Sequence, residues 1–260
     1  MAELIIERSA SIGRLLISNP DKYNAMTLDM WENFPAMLAA LEQDSSVRAI
    51  CIEGDGAKAF LSGSDISQFK AERSDSSAQA RYNAAVDQAM LAPIRCSKPV
   101  LAKIRGICMG GGVGIAAACD IRICADNARF RIPVARLGIG YGVTPLQRLI
   151  SLIGEQNACD VLFSARIFDG AEARALGFVA HCVELSRLDE FCEEWLSQVS
   201  ENAPLSLKSI KRSMAELRKE KQDRDHAAME NGIAACFSSK DYKEGVAAFA
   251  EKRKPIFTGS

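Results

Sequence analysis

Apolar residues fall into short strand-like runs through the first half of the chain and at helical spacing through the second. Residues 4–8 and 12–18 are β-type runs separated by a few small residues, which predicts a hairpin. Asn19-Pro20-Asp21-Lys22 is a turn cluster. Thr27 is placed to cap an amphipathic helix reaching Leu41, with Pro35 expected to kink it. Residues 47–53 and 99–104 read as buried strands, and 120–126 as another, with Ile121, Ile123 and Ala125 on one face. Between the first two lie a Gly- and Ser-containing loop over 54–64, the start of a short helix over 65–69, a polar Ser-rich stretch over 72–80 read as a mobile loop, and a helix continuing through Met90. Residues 129–141, rich in Gly and Pro, read as irregular. Helical patterns fill 146–154, 156–164, 170–176, 187–201, 206–221, 224–237 and 240–251, interrupted by one strand over 179–184. Strands ahead of helices predict an α/β core with a helical C-terminal subdomain.

One stretch carries more chemistry than the rest. Gly106-Ile107-Cys108-Met109-Gly110-Gly111-Gly112-Val113-Gly114 follows the strand at 99–104 and precedes a small-residue helix over 115–119. The first N–H groups of a helix have no partner within it. Glycine removes the Cβ that would screen them, so a developing negative charge can sit directly on the backbone.

Composition narrows the possibilities. The 260 residues are 48% apolar and 25% charged, the balance of a soluble globular protein. A formal net charge of -1 gives no general pull toward nucleic acid or an anionic membrane, no apolar run approaches the length of a span, and the N-terminus lacks the layout of a secretory signal. The basic run Lys208-Ser209-Ile210-Lys211-Arg212 and its continuation over 218–221 are interleaved with acids and read as a solvated helix face. Nine cysteines without a C-x-x-C pair argue against a metal site and read as small buried hydrophobes in a reducing cytoplasm. The two histidines, His181 and His226, lie outside any Gly-rich or polar cluster and read as structural. The glycine run is not G-x-G-x-x-G, and no fitting acidic residue follows it, so a dinucleotide site is disfavoured.

Three segments together resemble the crotonase (enoyl-CoA hydratase/isomerase) superfamily. Residues 19–26, Asn-Pro-Asp-Lys-Tyr-Asn-Ala-Met, are similar to its N-P-x-x-x-N-A run. Residues 58–66, Lys-Ala-Phe-Leu-Ser-Gly-Ser-Asp-Ile, are similar to its K-A-F-x-x-G-x-D-I loop. Residues 104–123 are similar to its G-x-x-x-G-G-G helix ending in C-D-I. The chain end over 241–255 resembles the family's usual C-terminus. The resemblance implies a spiral of ββα turns over 1–200 holding an acyl-CoA site, and a helical trimerisation subdomain over 201–260. It implies a homotrimer or hexamer, and an acyl-CoA thioester as substrate with no separate cofactor. By motif position the two N–H groups that hold the thioester oxygen belong to Ser64 and Gly111. Contacts to CoA fall on Lys58, Ala59, Ser62, Asp65, Ile66 and Lys252, although the two lysines read equally as free surface residues and Asp65 as a helix cap.

The chain departs from the family where proton transfer is concerned. The G-G-G-x-E carboxylate is replaced by Gly114, and the carboxylate after the following proline by Val134. A positioned acid or base contributes about 10²–10⁴ in rate, so a conventional hydratase is not expected. What polar chemistry remains is the Ser64 hydroxyl, Tyr141 between two glycines, and Arg131 and Arg136, which could hold a carboxylate. That inventory suits decarboxylation of an α-carboxyacyl thioester, which needs no general base. Tyr141 resembles a tyrosine of methylmalonyl-CoA decarboxylase, although that enzyme has a histidine in place of Ser64. Gly114 also leaves room for a small anion such as bicarbonate to act as base, as in the naphthoate synthases of the superfamily. Met90, Leu91 and Phe69 are candidates for the acyl tunnel. A non-catalytic acyl-CoA-binding protein is the alternative from a different functional class.

Overall fold

The computed structural model describes residues 2–65 and 75–260. Ile66 and Phe69, all but Asp65 of the expected helix over 65–69, and residues 72–74 of the expected loop over 72–80 lie outside them; residues 76–80 of that loop are helical instead. The chain opens with the hairpin: β1 (Glu3–Ser9) pairs antiparallel with β2 (Ile12–Ser18), Ser9 opposite Ile12. Helix α1 (Leu28–Gln43) continues through Pro35, and the Thr27 hydroxyl accepts from Met30 N at 3.3 Å. An N-cap of this kind contributes about 1 kcal/mol. Thr27→Ala is therefore expected to lower the thermal midpoint by about 2–4 °C, read by calorimetry.

Three turns of one pattern follow. Strand β3 (Ala49–Gly54) leads to β4 (Ala59–Leu61) and helix α2 (Ser76–Arg95). Strand β5 (Val100–Ile104) leads to β6 (Ile107–Met109) and helix α3 (Gly111–Ala118). Strand β7 (Ile121–Ala125) leads to β8 (Arg129–Arg131) and the one-turn helix α4 (Val134–Leu137). Next come α5 (Val143–Ser164), β9 (Phe168–Asp169), α6 (Gly170–Ala175) and β10 (His181–Val183). The first strand of each turn joins a six-stranded sheet ordered β1-β2-β3-β5-β7-β10, parallel beyond the opening hairpin. The second strands form a separate sheet ordered β4-β6-β8-β9. The expected α/β spiral of ββα turns is thus present.

Period-two burial divides the large sheet between two cores. Leu15, Ile17, Ile50, Ile52, Val100 and Ala102 face the main core, with Trp31 and Phe34 of α1. Ile12, Ala49, Cys51, Leu101, Ile123 and Ala125 face Leu188, Cys192 and Leu196 of α7 (Leu188–Ser200). All nine cysteines are free, and six of them are buried. Gly154, at φ 76°, breaks α5 where the pattern read two helices.

The chain ends in α8 (Pro204–Leu217), α9 (His226–Ser238) and α10 (Lys240–Glu251). Here one expectation is corrected: Lys211 of the basic run is not on a solvated face. It is buried, and its Nζ donates to Pro93 O at 3.0 Å, Lys98 O at 2.8 Å and Asp120 Oδ2 at 2.6 Å. Desolvating an ammonium is costly unless every donor finds an acceptor, and Lys211 meets that condition by tying α8 to the loop that precedes β7. No helix among the described residues is long and apolar enough to cross a membrane.

Candidate active site

The two glycine-lined turns meet. A Cβ on Gly63 would stand 3.4 Å from Gly111 N, and a Cβ on Gly111 would stand 3.7 Å from Gly63 Cα. Gly63 lies at φ 110° and Gly110 at φ 52°, ψ −115°, conformations that favour glycine. The first turn is fixed by a parallel bridge: Met26 N donates to Gly63 O and Asp65 N to Met26 O, both flanking Ser64. Backbone groups alternate in direction along an extended segment, so Ser64 directs its own N–H away from Met26. The second turn is fixed by Gly110 N donating to Arg131 O at 2.8 Å, after which Gly111 opens α3. Neither Ser64 N nor Gly111 N has an acceptor among the described residues. Behind Gly111 lies the ring of Trp31, 2.9 Å from where a Cβ would be.

Both turns border a cavity of about 490 Å³. Of the residues expected at the site, Ser62, Ser64, Gly111, Val134 and Tyr141 line it, and so does Met90. Lys58 and Lys252 are exposed and Ala59 is buried, and none of the three is a lining residue. Asp65 is buried and ion-paired to Lys22 Nζ at 2.7 Å. Leu91 does not line the cavity. Arg131 and Arg136 do not line it either, which corrects their expected role as carboxylate holders. Arg131 Nε donates to Ala165 O at 2.7 Å, and Arg136 is exposed.

Space beside Gly114 is also filled. A Cβ there would overlap the methyl of Met90 and stand 2.8 Å from its sulfur. The void expected to admit a small anion is occupied by a buried thioether. Tyr141 packs against the main core, and its hydroxyl makes no hydrogen bond among the described residues. Burial, reinforced by the neighbouring Cys108 thiol, raises its pKa, so the phenol is a protonated donor at neutral pH.

The far end of α3 is held by two guanidinium groups. Arg122 donates to Ala116 O and Cys119 O, and Arg148 to Ala117 O and Cys119 O. Burial, with Arg148 nearby, lowers the Arg122 pKa to about 10, which leaves it cationic at neutral pH. Cations at a helix C-terminus offset its negative end.

The cavity holds one feature that sequence reasoning missed. Gln79, Asn83 and Asp87, spaced four apart on α2, place a polar stripe on its wall. Asp87 is the one charged side chain among the described lining residues. Its spacing with Gln79 and Asn83 was the available signal, but an exposed helix face has the same pattern. Among the described residues, no group of three or more His, Cys, Asp or Glu could hold a metal ion.

The chain is similar along its length to proteins of one family. The sequence pattern of the enoyl-CoA hydratase/isomerase family matches residues 7–260. A short-chain-enoyl-CoA hydratase of Clostridium acetobutylicum is 32% identical over 96% of this chain and 95% of its own. A peroxisomal Delta(3,5)-Delta(2,4)-dienoyl-CoA isomerase of Arabidopsis thaliana is 35% identical over 95% of this chain and 93% of its own. Among solved structures, an enoyl-CoA hydratase/carnithine racemase from Magnetospirillum magneticum superposes with a TM-score of 0.95 at 30% identity, over 100% of this chain and 97% of that one. With a ββα spiral, a sequence pattern matched almost end to end and relatives matched over nearly their whole length, the chain belongs to the enoyl-CoA hydratase/isomerase family of the crotonase superfamily.

Proposed function

We propose that the chain binds an acyl-CoA thioester with its carbonyl oxygen between the Ser64 and Gly111 N–H groups, and works through the enolate that this oxyanion hole stabilises. The observation that carries the reading is the pair of acceptorless amides on two touching turns at one wall of the cavity. When the Cα–H bond breaks, its electron pair forms a C=C bond and charge moves onto the carbonyl oxygen. Donors already fixed at that oxygen then bind more strongly than they did in the ground state. The α3 dipole acts in the same sense: its positive end is at Gly111, and Arg122 and Arg148 offset the other end about 12 Å away. Coenzyme A enters as part of the substrate, with Lys58 and Lys252 assigned to its phosphates.

The relatives include a hydratase and an isomerase, so membership alone leaves the reaction open. Conventional hydration calls for carboxylates where this chain has Gly114 and Val134. Decarboxylation calls for a cation to hold the departing carboxylate, whereas the described lining offers the anion Asp87. Like charges about 4 Å apart repel by ~4 kcal/mol at an effective dielectric of 20. Enolate formation without carbon dioxide loss is the reading that fits. It is tested by incubating the protein with acetyl-, butyryl- and but-3-enoyl-CoA in D2O and following deuterium at Cα by NMR. Exchange is expected. Binding without exchange on any of them would make this a non-catalytic acyl-CoA-binding member.

Tyr141 is assigned as a neutral donor beside the reacting carbons. A hydrogen bond to a charged group contributes about 1.5–3 kcal/mol. Tyr141→Phe is therefore expected to slow exchange by about 10- to 100-fold while leaving thioester affinity nearly unchanged. Equal losses in rate and affinity would make Tyr141 a packing residue only. We further assign a homotrimer or a dimer of trimers, supported by the apolar side chains that α8 to α10 leave exposed, among them Met214, Phe237 and Phe249.

A further inference from the structure

We infer that Asp87 is the catalytic base that takes the proton from the substrate's Cα. The inference rests on the enolate reading above and adds the group that reading lacks. An enolate needs a proton acceptor as well as an oxyanion hole, and neither Gly114 nor Val134 can accept one. Among the described residues that line the cavity, Asp87 is the one carboxylate. It has no hydrogen bond or ion pair among the described residues, unlike Asp65, which is engaged by Lys22.

Its position is set by two neighbours. One helical turn further along α2, Met90 packs into the space beside Gly114, which fixes the face that α2 turns toward α3. On the other side, Asp87 Oδ1 lies 3.5 Å from where a Cβ on Gly142 would be. That contact distance sets the carboxylate against the residue that follows Tyr141. The base thus comes from α2, on the wall that also carries Gln79 and Asn83, while the amides come from the turn before α3 and from the turn after β4.

The step balances without any further reagent. The Cα–H bond breaks, the proton passes to an Asp87 oxygen, and the electron pair becomes the enolate C=C bond. In the return step the carboxylic acid gives a proton back to carbon. In D2O the acid exchanges with solvent and deuterium is returned.

The test is the exchange assay with Asp87→Asn, which keeps the shape and removes the base, and Asp87→Glu, which keeps the base on a longer arm. A lost acid–base group costs about 10²–10⁴ in rate. Asp87→Asn should slow Cα exchange by at least about 100-fold with thioester affinity within about twofold of the parent, and Asp87→Glu should recover part of the rate. Three results would overturn the assignment while leaving the enolate reading intact: exchange by Asp87→Asn at the parent rate, loss of affinity in proportion to loss of rate, or Asp87→Glu no faster than Asp87→Asn. Absence of exchange by the parent protein on all three thioesters would instead remove the enolate reading, and Asp87 as base with it.

Discussion

Gly114→Glu alone is expected to destabilise the protein and to confer no hydratase activity, whereas the same change combined with Met90→Ala is expected to add water to crotonyl-CoA. The reason lies in what fills the space. The glycine is buried one helical turn after Gly111, and the Met90 side chain, itself buried, lies across the place where a side chain would start. A glutamate there must displace a thioether and bury a carboxylate without a partner, which costs several kcal/mol. The gain in helix propensity over glycine, about 1 kcal/mol, does not offset that. Truncating Met90 removes the obstruction and opens a path to the cavity that it lines. The double variant should recover part of the lost thermal midpoint. Its hydration rate, read from the absorbance of crotonyl-CoA, should exceed that of the single variant by at least about 10². A single variant as stable as the parent would mean that Met90 does not hold this space. In this chain the space beside position 114 is thus paired with the Met90 side chain of the neighbouring helix.

This pairing shows what was legible in the chain and what was not. The glycine turns could be read directly, because each demands a backbone that other residues resist, and Gly63 and Gly110 occupy such conformations. The six strands of the large sheet were legible from their apolar runs. Strands β4, β6 and β8, each of three residues, are too short for a period-two pattern to emerge, and 129–141 read as irregular although it contains β8 and α4. Arg131 was misread because a guanidinium near a candidate site in sequence can face away from it in space, here to the Ala165 carbonyl. Lys211 and Asp87 were misplaced or missed for one shared reason. A polar residue on an amphipathic helix reads as solvated, and only the packing of that helix reveals that it faces a carboxylate and carbonyls of neighbouring elements or a cavity wall. Gly114 was visible in the sequence, but Met90, which fills the space beside it, lies 24 positions away and needs the helix pair in three dimensions.

Gly112→Ala is expected to cost far more activity than Gly114→Ala, although each adds one methyl to the same helix. At Gly112 the new Cβ would overlap the carbonyl oxygen of Leu61 and stand 3.0 Å from its carbonyl carbon. Backbone cannot rotate out of the way, so the start of α3 must move away from the end of β4. Leu61 leads through Ser62 and Gly63 to Ser64, while Gly112 directly follows Gly111, so the displacement separates the two amides themselves. Overpacking of this kind costs about 1–3 kcal/mol of stability. Spoiling one oxyanion donor costs about 10²–10³ in rate, or roughly 2.7–4 kcal/mol of transition-state stabilisation. At Gly114 the new methyl meets only the end of a flexible thioether, which has other rotamers, and the amides stay where they are. Cα exchange in D2O should therefore fall by at least about 100-fold in Gly112→Ala and by less than about tenfold in Gly114→Ala, with both proteins folded by circular dichroism. Equal rates in the two variants would show that the distance between these turns does not govern the chemistry.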